Sequence, residues 1–371
     1  MGAPVGNSLE PQVVAALAVQ DYKQATRLLK QWQANDPQNP LLRLYAAQLQ
    51  EKTNRLEAAE KNYLKLLRET SSTKLIGQAR AGIQRIHEQQ KQQQQQNQAQ
   101  QALEKASVLE QARTVEGGED AAILAIAPPP EAARKAAIAA FAQLFTLDPY
   151  TARQRLPTVG FRIYRVSPWA EVSYYAQQLA QALIPTISVK ATDIKQLQTF
   201  QICHFETLDA QPSVICKAAN GQLGKISFDW QEVGQRVSGQ LPIFEQVADI
   251  GNWGRTVHKE RVLDYAQVVD LHFPGRQIVL RLCDRTYQYQ QGIQLTDSRE
   301  LNSRIQWNQL LSELSSALSG PHYNDFNRFS KSALEFTNLL PVIPTNLDLD
   351  RRAPSDWDLA FHLYSSLCFF K

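Results

Sequence analysis

The first quarter of the chain repeats one helical pattern of apolar and polar positions. In "DYKQATRLLKQWQANDPQNP", residues 21–40, Tyr22, Ala25, Leu29 and Trp32 recur at steps of three and four. That spacing puts them on one face of a helix. The stretch "NRLEAAEKNYLKLLRET" repeats the arrangement 34 residues later, with Leu56, Ala59, Tyr63 and Leu66. A small residue where two helices cross, with large ones at i+4 and i+7, is the pattern of close helix packing. A third segment, "TKLIGQARAGIQRI", carries Leu75, Ile76, Ala79, Ile83 and Ile86 and predicts a helix that closes the stack. The apolar stripe then stops. Residues 88–102, "EQQKQQQQQNQAQQA", hold no seam that a packed coiled coil could bury, and Leu103, Ala106 and Leu109 resume one only afterwards. Glutamine is a fair helix former, so the tract reads either as a solvated helix or as a flexible tether.

Gly117-Gly118 and Pro128–Pro130 punctuate the next stretch and place a domain boundary between 114 and 130. Beyond it, "PEAARKAAIAAFAQLFTLDPYTARQRLP" predicts a helix, a turn and a short helix, with Asp148 as cap and Pro149 at the first position. "GFRIYRV" and "PTISVKA" read as strands around the helix "SPWAEVSYYAQQLAQAL", capped by Ser167, with Val172, Ala176, Leu179 and Leu183 on its buried face. "TDIKQLQTF" predicts a short helix. The period then becomes two in "FQICHFETL", "SVICKAA", "GKISFDWQEV", "RVLDYAQVVDLHF" and "RQIVLRLCDRTYQYQQG", which predict strands. The remainder, "NSRIQWNQLLSELSSALS", "PHYNDFNRFSKSALEFTNLL" and "DWDLAFHLYSSLCFF", returns to helices. The chain is therefore expected to be multidomain. All-α helical repeats over 1–87 precede a Gln-rich helix or linker over 88–130. An α+β domain with a mostly antiparallel sheet and C-terminal helices fills 131–371.

A helix–turn–helix unit with a 34-residue period resembles the tetratricopeptide repeat, and "DYKQA…DPQNP" with "NRLEAAEKNY" carries the likeness. Asp36-Pro37 falls where that family ends its second helix. The units depart from the pattern at Val13, at Arg43 and at Ser71-Ser72, which replaces the closing proline. In overall texture the chain is also similar to cyanobacterial proteins that join such units to a globular tail, although no motif carries that likeness. The repeat resemblance implies a concave protein-binding surface built from the first helix of each unit. Carried over by position, that surface is Asn7, Glu10, Val14 and Leu17 in the first unit and Leu44, Gln48, Glu51 and Lys52 in the second. The alternative is that two units only cap another domain or pair with a second copy.

Charge changes this picture little. The net charge is +3, with residues 1–113 holding 15 Lys+Arg against 10 Asp+Glu. That is too small a balance to argue for nucleic acid. No apolar run spans a bilayer, and the first residues lack the pattern of a secretory leader or a myristoylation site. Cys203, Cys216, Cys283 and Cys368 form no metal or disulfide framework, so a reducing cytoplasm is the expected compartment.

Candidate chemistry is sparse. Asp270 and His272 alternate on one face of "VVDLHF", with Asp264 further along, and a carboxylate beside an imidazole suits acid–base work. The bland reading is a solvated polar strand face. Cys203 and His204 are adjacent in a strand, so they point to opposite faces and do not share a metal. "IGNWGRTV", residues 250–257, matches the G-x-x-G spacing of a loop that clamps nucleic-acid backbone, with Trp253 in a position often basic. Phe228, Trp230, Tyr287 and Tyr289 would suit either base stacking or a core. Nucleotide, metalloprotease and hydrolase signatures are absent. The expected function is a non-enzymatic adaptor or assembly factor that binds protein partners, without metal or cofactor. A nucleic-acid-associated factor using the basic N-terminal part and the 250–257 loop, and an enzyme with an acid–base site near Asp264, Asp270 and His272, are the alternatives.

Overall fold

Two helices that start 34 residues apart also end 34 residues apart. In the computed structural model, which describes residues 9–250, 256–294, 302–347, 349 and 355–371, α2 runs Tyr22–Asn35 and α4 runs Leu56–Glu69. Their partners α1, Glu10–Ala18, and α3, Pro40–Lys52, end at equivalent positions. Gln20 and Asn54, one period apart, both turn the chain with positive φ, 60° and 59°. Asp21 caps α2 by accepting from the Gln24 N–H, and Asn39 caps α3 from Leu41. Ala25 and Ala59 are both fully buried, as are Tyr63, Trp32 and Leu66 or nearly so. The chain divides into two compact units, Met1–Ser107 and Val108–Lys371. The first is a helical region consistent with helical repeats.

The next helix, α5, spans Thr73–Arg113 without a break. Its first turns bury Ala79 and Ile86 against α4. Gly82 faces the Tyr63 ring, where a Cβ would stand 2.4 Å from Cζ, so only glycine permits this approach. The glutamine tract is helical and exposed. Side chains four residues apart support it, Gln84 with Glu88, Gln93 with Asn97 and Gln100 with Glu104.

In the second unit β1, Ala121–Ile126, is the centre of a three-stranded antiparallel sheet of order β2-β1-β3, with β2 at Arg162–Pro168 and β3 at Thr186–Lys190. This strand lies inside the stretch that the sequence marks as linker. "AAILAI" is buried on both faces, so it shows no alternation. One face packs on α6, Arg134–Leu144, α7, Pro149–Arg155, and α8, Trp169–Gln181. Asp148 caps α7 as expected. Ser167 does not cap α8, because β2 continues through Pro168 and the helix starts at Trp169. Leu183 lies past that helix in a positive-φ turn and is 61% exposed, not buried.

The second sheet has seven strands in the order β10-β7-β8-β9-β4-β5-β6 and is antiparallel except at β10·β7 and β4·β9. Its strands are β4 Gln198–Thr207, β5 Ser213–Lys217, β6 Leu223–Ser227, β7 Gln235–Ile250, β8 Thr256–Phe273, β9 Ile278–Cys283 and β10 His322–Tyr323. A short α9, Ala191–Gln196, precedes them. The sequence pattern gives no warning of β7, since Gly239 and Pro242 read as breakers. Pro242 is tolerated because β10 pairs only with Arg236 and Val237, which leaves the edge at Pro242 without a neighbour that needs its N–H. Gly239 is required because a Cβ there would meet Phe326 and Phe361 at 2.8 Å. Helix α10, Ser303–Ala317, covers one face of this sheet through Trp307, Leu310 and Leu314. Helices α11, Phe326–Ala333, and α12, Asp356–Phe369, fill the core between the other face and the small sheet.

Candidate functional site

Four of the residues expected on a binding surface come together. Leu17 from α1, Gln48, Glu51 and Lys52 from α3, and Arg85 from α5 line a pocket of about 220 Å³. Arg85 was not anticipated; its signal is a cation on the polar side of the third apolar helix. The others scatter. Glu10 accepts a hydrogen bond from the Tyr45 hydroxyl at 3.0 Å. Val14 is 43% exposed. Leu44 is 1% exposed and packs with Ala59, Tyr63 and Ala79, so it is core and offers nothing to a partner. It lies on the same stripe of α3 as Gln48 and Glu51 but one turn earlier, where residues of α4 and α5 cover it, and a repeat alignment by position does not show which turn is covered. Asn7 lies outside the described residues.

The pocket has a fixed centre. Arg85 grips Glu51 at two points, Nε to Oε1 at 2.8 Å and Nη2 to Oε2 at 3.0 Å. The Tyr63 hydroxyl donates to Glu51 Oε2 at 2.7 Å. Burial pushes the Glu51 carboxyl up, but the hydrogen bonds from Arg85 and Tyr63 and the Arg85 charge outweigh it and hold the group below the usual glutamate range. Burial and Glu51 push the Tyr63 phenol up. On the same face, burial and Glu10 push the Tyr45 phenol up to about 12. Both tyrosines therefore stay neutral donors. The lining thus offers an apolar contact, an amide, an exposed lysine and an arginine whose position a carboxylate fixes. Among these lining groups none is paired as nucleophile and base.

The acid–base candidates lie in the second unit and do not converge. Asp264 is exposed and ion-paired with Arg285. It sits six residues along β8 from Asp270, about 20 Å at strand rise. Asp270 and His272 are on one face of β8, as alternation requires, but that face is fully buried under α12 and is not solvated. Asp270 takes both Nε and Nη2 of Arg281, at 2.8 and 2.7 Å. Ser365 donates to Asp270 Oδ2, His272 Nε2 lies 2.9 Å from Ser365 Oγ, and Gln235 lies 2.9 Å from His272 Nδ1. With Ser365 donating to the carboxylate, His272 carries its proton on Nε2 and accepts from Gln235. The serine thus stands between the carboxylate and the imidazole, with an amide on the other ring nitrogen, so the carboxylate does not orient the imidazole directly as it does in a serine–histidine–aspartate relay.

The remaining candidates separate as well. The strand register shifts between Ile202 and His204, so Cys203 sits at a bulge and simple alternation fails there. His204 Nδ1 lies 3.2 Å from Gln288 Oε1. Among the described residues no group of His, Cys, Asp and Glu is placed to hold a metal ion. Phe228, Trp230, Tyr287 and Tyr289 pack into the core beneath α10. Of the "IGNWGRTV" loop, residues 251–255 lie outside the described residues; the flanking segments are strands β7 and β8. Among the described residues no helix is long and apolar enough to cross a membrane. Comparison with protein families, with curated proteins and with solved structures finds no match to this chain.

Proposed function

We propose that this chain is an adaptor or assembly factor that binds a protein partner through the α1–α3–α5 face of its helical unit. The observation that carries this reading is the convergence of Leu17, Gln48, Glu51, Lys52 and Arg85 on one pocket. The 34-residue equivalence of buried positions supports a tetratricopeptide-like assignment, in which first helices face the ligand. A pocket of that size takes one or two side chains, so the partner inserts an extended or helical segment along the face and anchors it there. The test is affinity capture from nuclease-treated native lysate with the full chain and with the Leu17→Asp/Lys52→Glu variant. A discrete protein retained by the first and lost by the second supports the reading. Equal capture by both overturns it.

A further inference from the structure

One stretch of the second unit carries a net positive charge while the rest of the unit is net negative. Residues 131–165 hold six Lys+Arg against two Asp+Glu, a net +4, whereas the rest of residues 108–371 hold 19 against 25, a net −6. This segment is α6, α7 and most of β2. One of its two carboxylates, Asp148, is occupied as the cap of α7, accepting from the Tyr150 and Thr151 N–H groups. Arg165 is matched by Glu171 and lies over the Tyr175 ring, 5.0 Å from its centroid. Arg155, in the last turn of α7, and Arg162, at the start of β2, have no carboxylate partner among the described residues. The Arg162 Nε is buried without an acceptor. Burial pushes the Tyr164 phenol up, and the charges of Arg155, Arg165 and Arg162 oppose that shift.

Arg162 stands on an edge strand. β2 is an outer strand of its sheet, with β1 on one side. On the other side its backbone makes no hydrogen bond among the described residues. An unpaired edge accepts an added strand, and alternate N–H and C=O groups provide its affinity. The arginines decide which strand. A second copy of β2 would set arginine against arginine, so the edge resists self-pairing. A strand of opposite charge complements Arg155 and Arg162. Asp325, beside Gly160 at 3.5 Å from where a Cβ would lie, marks the end of the cationic stretch.

We infer that the β2 edge with Arg155 and Arg162 is a docking site for an extended acidic segment of a protein partner. It is separate from the helical face, and its test does not depend on that reading. A protein strand suits the edge better than a nucleic acid does. Tyr164 is packed edge-on against Phe141, 5.1 Å between centroids, and is not free to stack on bases. The experiment is fluorescence anisotropy of the full chain with a labelled peptide of alternating Glu and Val. A Lys/Val peptide and single-stranded oligothymidylate are the comparison probes. The Glu/Val peptide binds best, the Arg155→Gln/Arg162→Gln variant loses roughly tenfold in affinity, and Lys23→Gln in the helical unit loses none. Amide exchange of residues 162–168 slows on binding. Equal affinity in the double variant, tighter binding of the oligonucleotide, or binding without amide protection on β2 each overturns the assignment.

Discussion

Asp270 on β8 and Arg281 on β9 face each other across one rung of the sheet, and their two-point ion pair has no exposure to solvent. Around it the Arg281 guanidinium also reaches the Thr345 carbonyl and His362. Burial pushes the Asp270 carboxyl up, and the Arg281 charge and hydrogen bonds hold it down. Removing one partner leaves the other charge buried and uncompensated. Asp270→Leu therefore destabilises the second unit by about 3–5 kcal/mol, and Asp270→Leu/Arg281→Met recovers most of that loss. Urea unfolding of the four chains, wild type, two single variants and the double, checks both statements. Additive losses in the double variant would show that the pair does not act as a unit.

Two imidazoles beside that pair make stability depend on acid. Burial lowers His272 from its ordinary 6.5 to about 4 and His362 to about 3, with the Arg281 charge adding to the shift and Asp270 opposing it. The folded pKa values lie below the unfolded ones, so the unfolded chain binds more protons as pH falls. Stability is complete above about pH 6.5 and declines as pH drops toward 4, by up to about 1.4 kcal/mol per pH unit for each histidine. The slope of unfolding free energy against pH measures this. His272→Gln reduces the slope by about one proton over that range; an unchanged slope contradicts the account.

Gly82 behaves opposite to an ordinary helix glycine. Replacing a mid-helix glycine by alanine normally stabilises by up to about 1 kcal/mol. Here the new methyl would overlap the buried Tyr63 ring, whose hydroxyl is fixed on Glu51. Gly82→Ala is expected to destabilise the helical unit by about 1–3 kcal/mol. Gly77, with nothing within 4 Å of its absent Cβ, is the control and gains stability on the same change. Thermal unfolding followed by helical ellipticity separates the two variants.

Legibility followed periodicity. The paired helices, the Asp148 cap and the strands β4, β5 and β8 obey local rules and could be read directly. β1 has no period because both faces are buried, and β7 contains a proline and a glycine whose reasons lie in distant neighbours. The Asp270–His272 face reads as solvated because alternation says which residues share a face and not what covers it. A signal was present in α12, where Asp358, His362 and Ser365 put polar groups at helical spacing on an otherwise apolar helix. Such a stripe asks for a polar partner. On the helical face, Gln48, Glu51 and Lys52 line the pocket while Leu44, one turn earlier on the same stripe of α3, is core, because periodicity gives the stripe and not what covers each turn of it.

The central claim is that a protein partner occupies the α1–α3–α5 face. The most direct measurement installs a photo-crosslinking residue at Gln48, in the pocket, and separately at Lys65, on the exposed side of α4, in the full chain. Irradiation in native extract followed by mass spectrometry identifies what each position touches. The account predicts a discrete crosslinked protein from position 48 and none of it from position 65. The same products from both positions, or none from position 48, would contradict it.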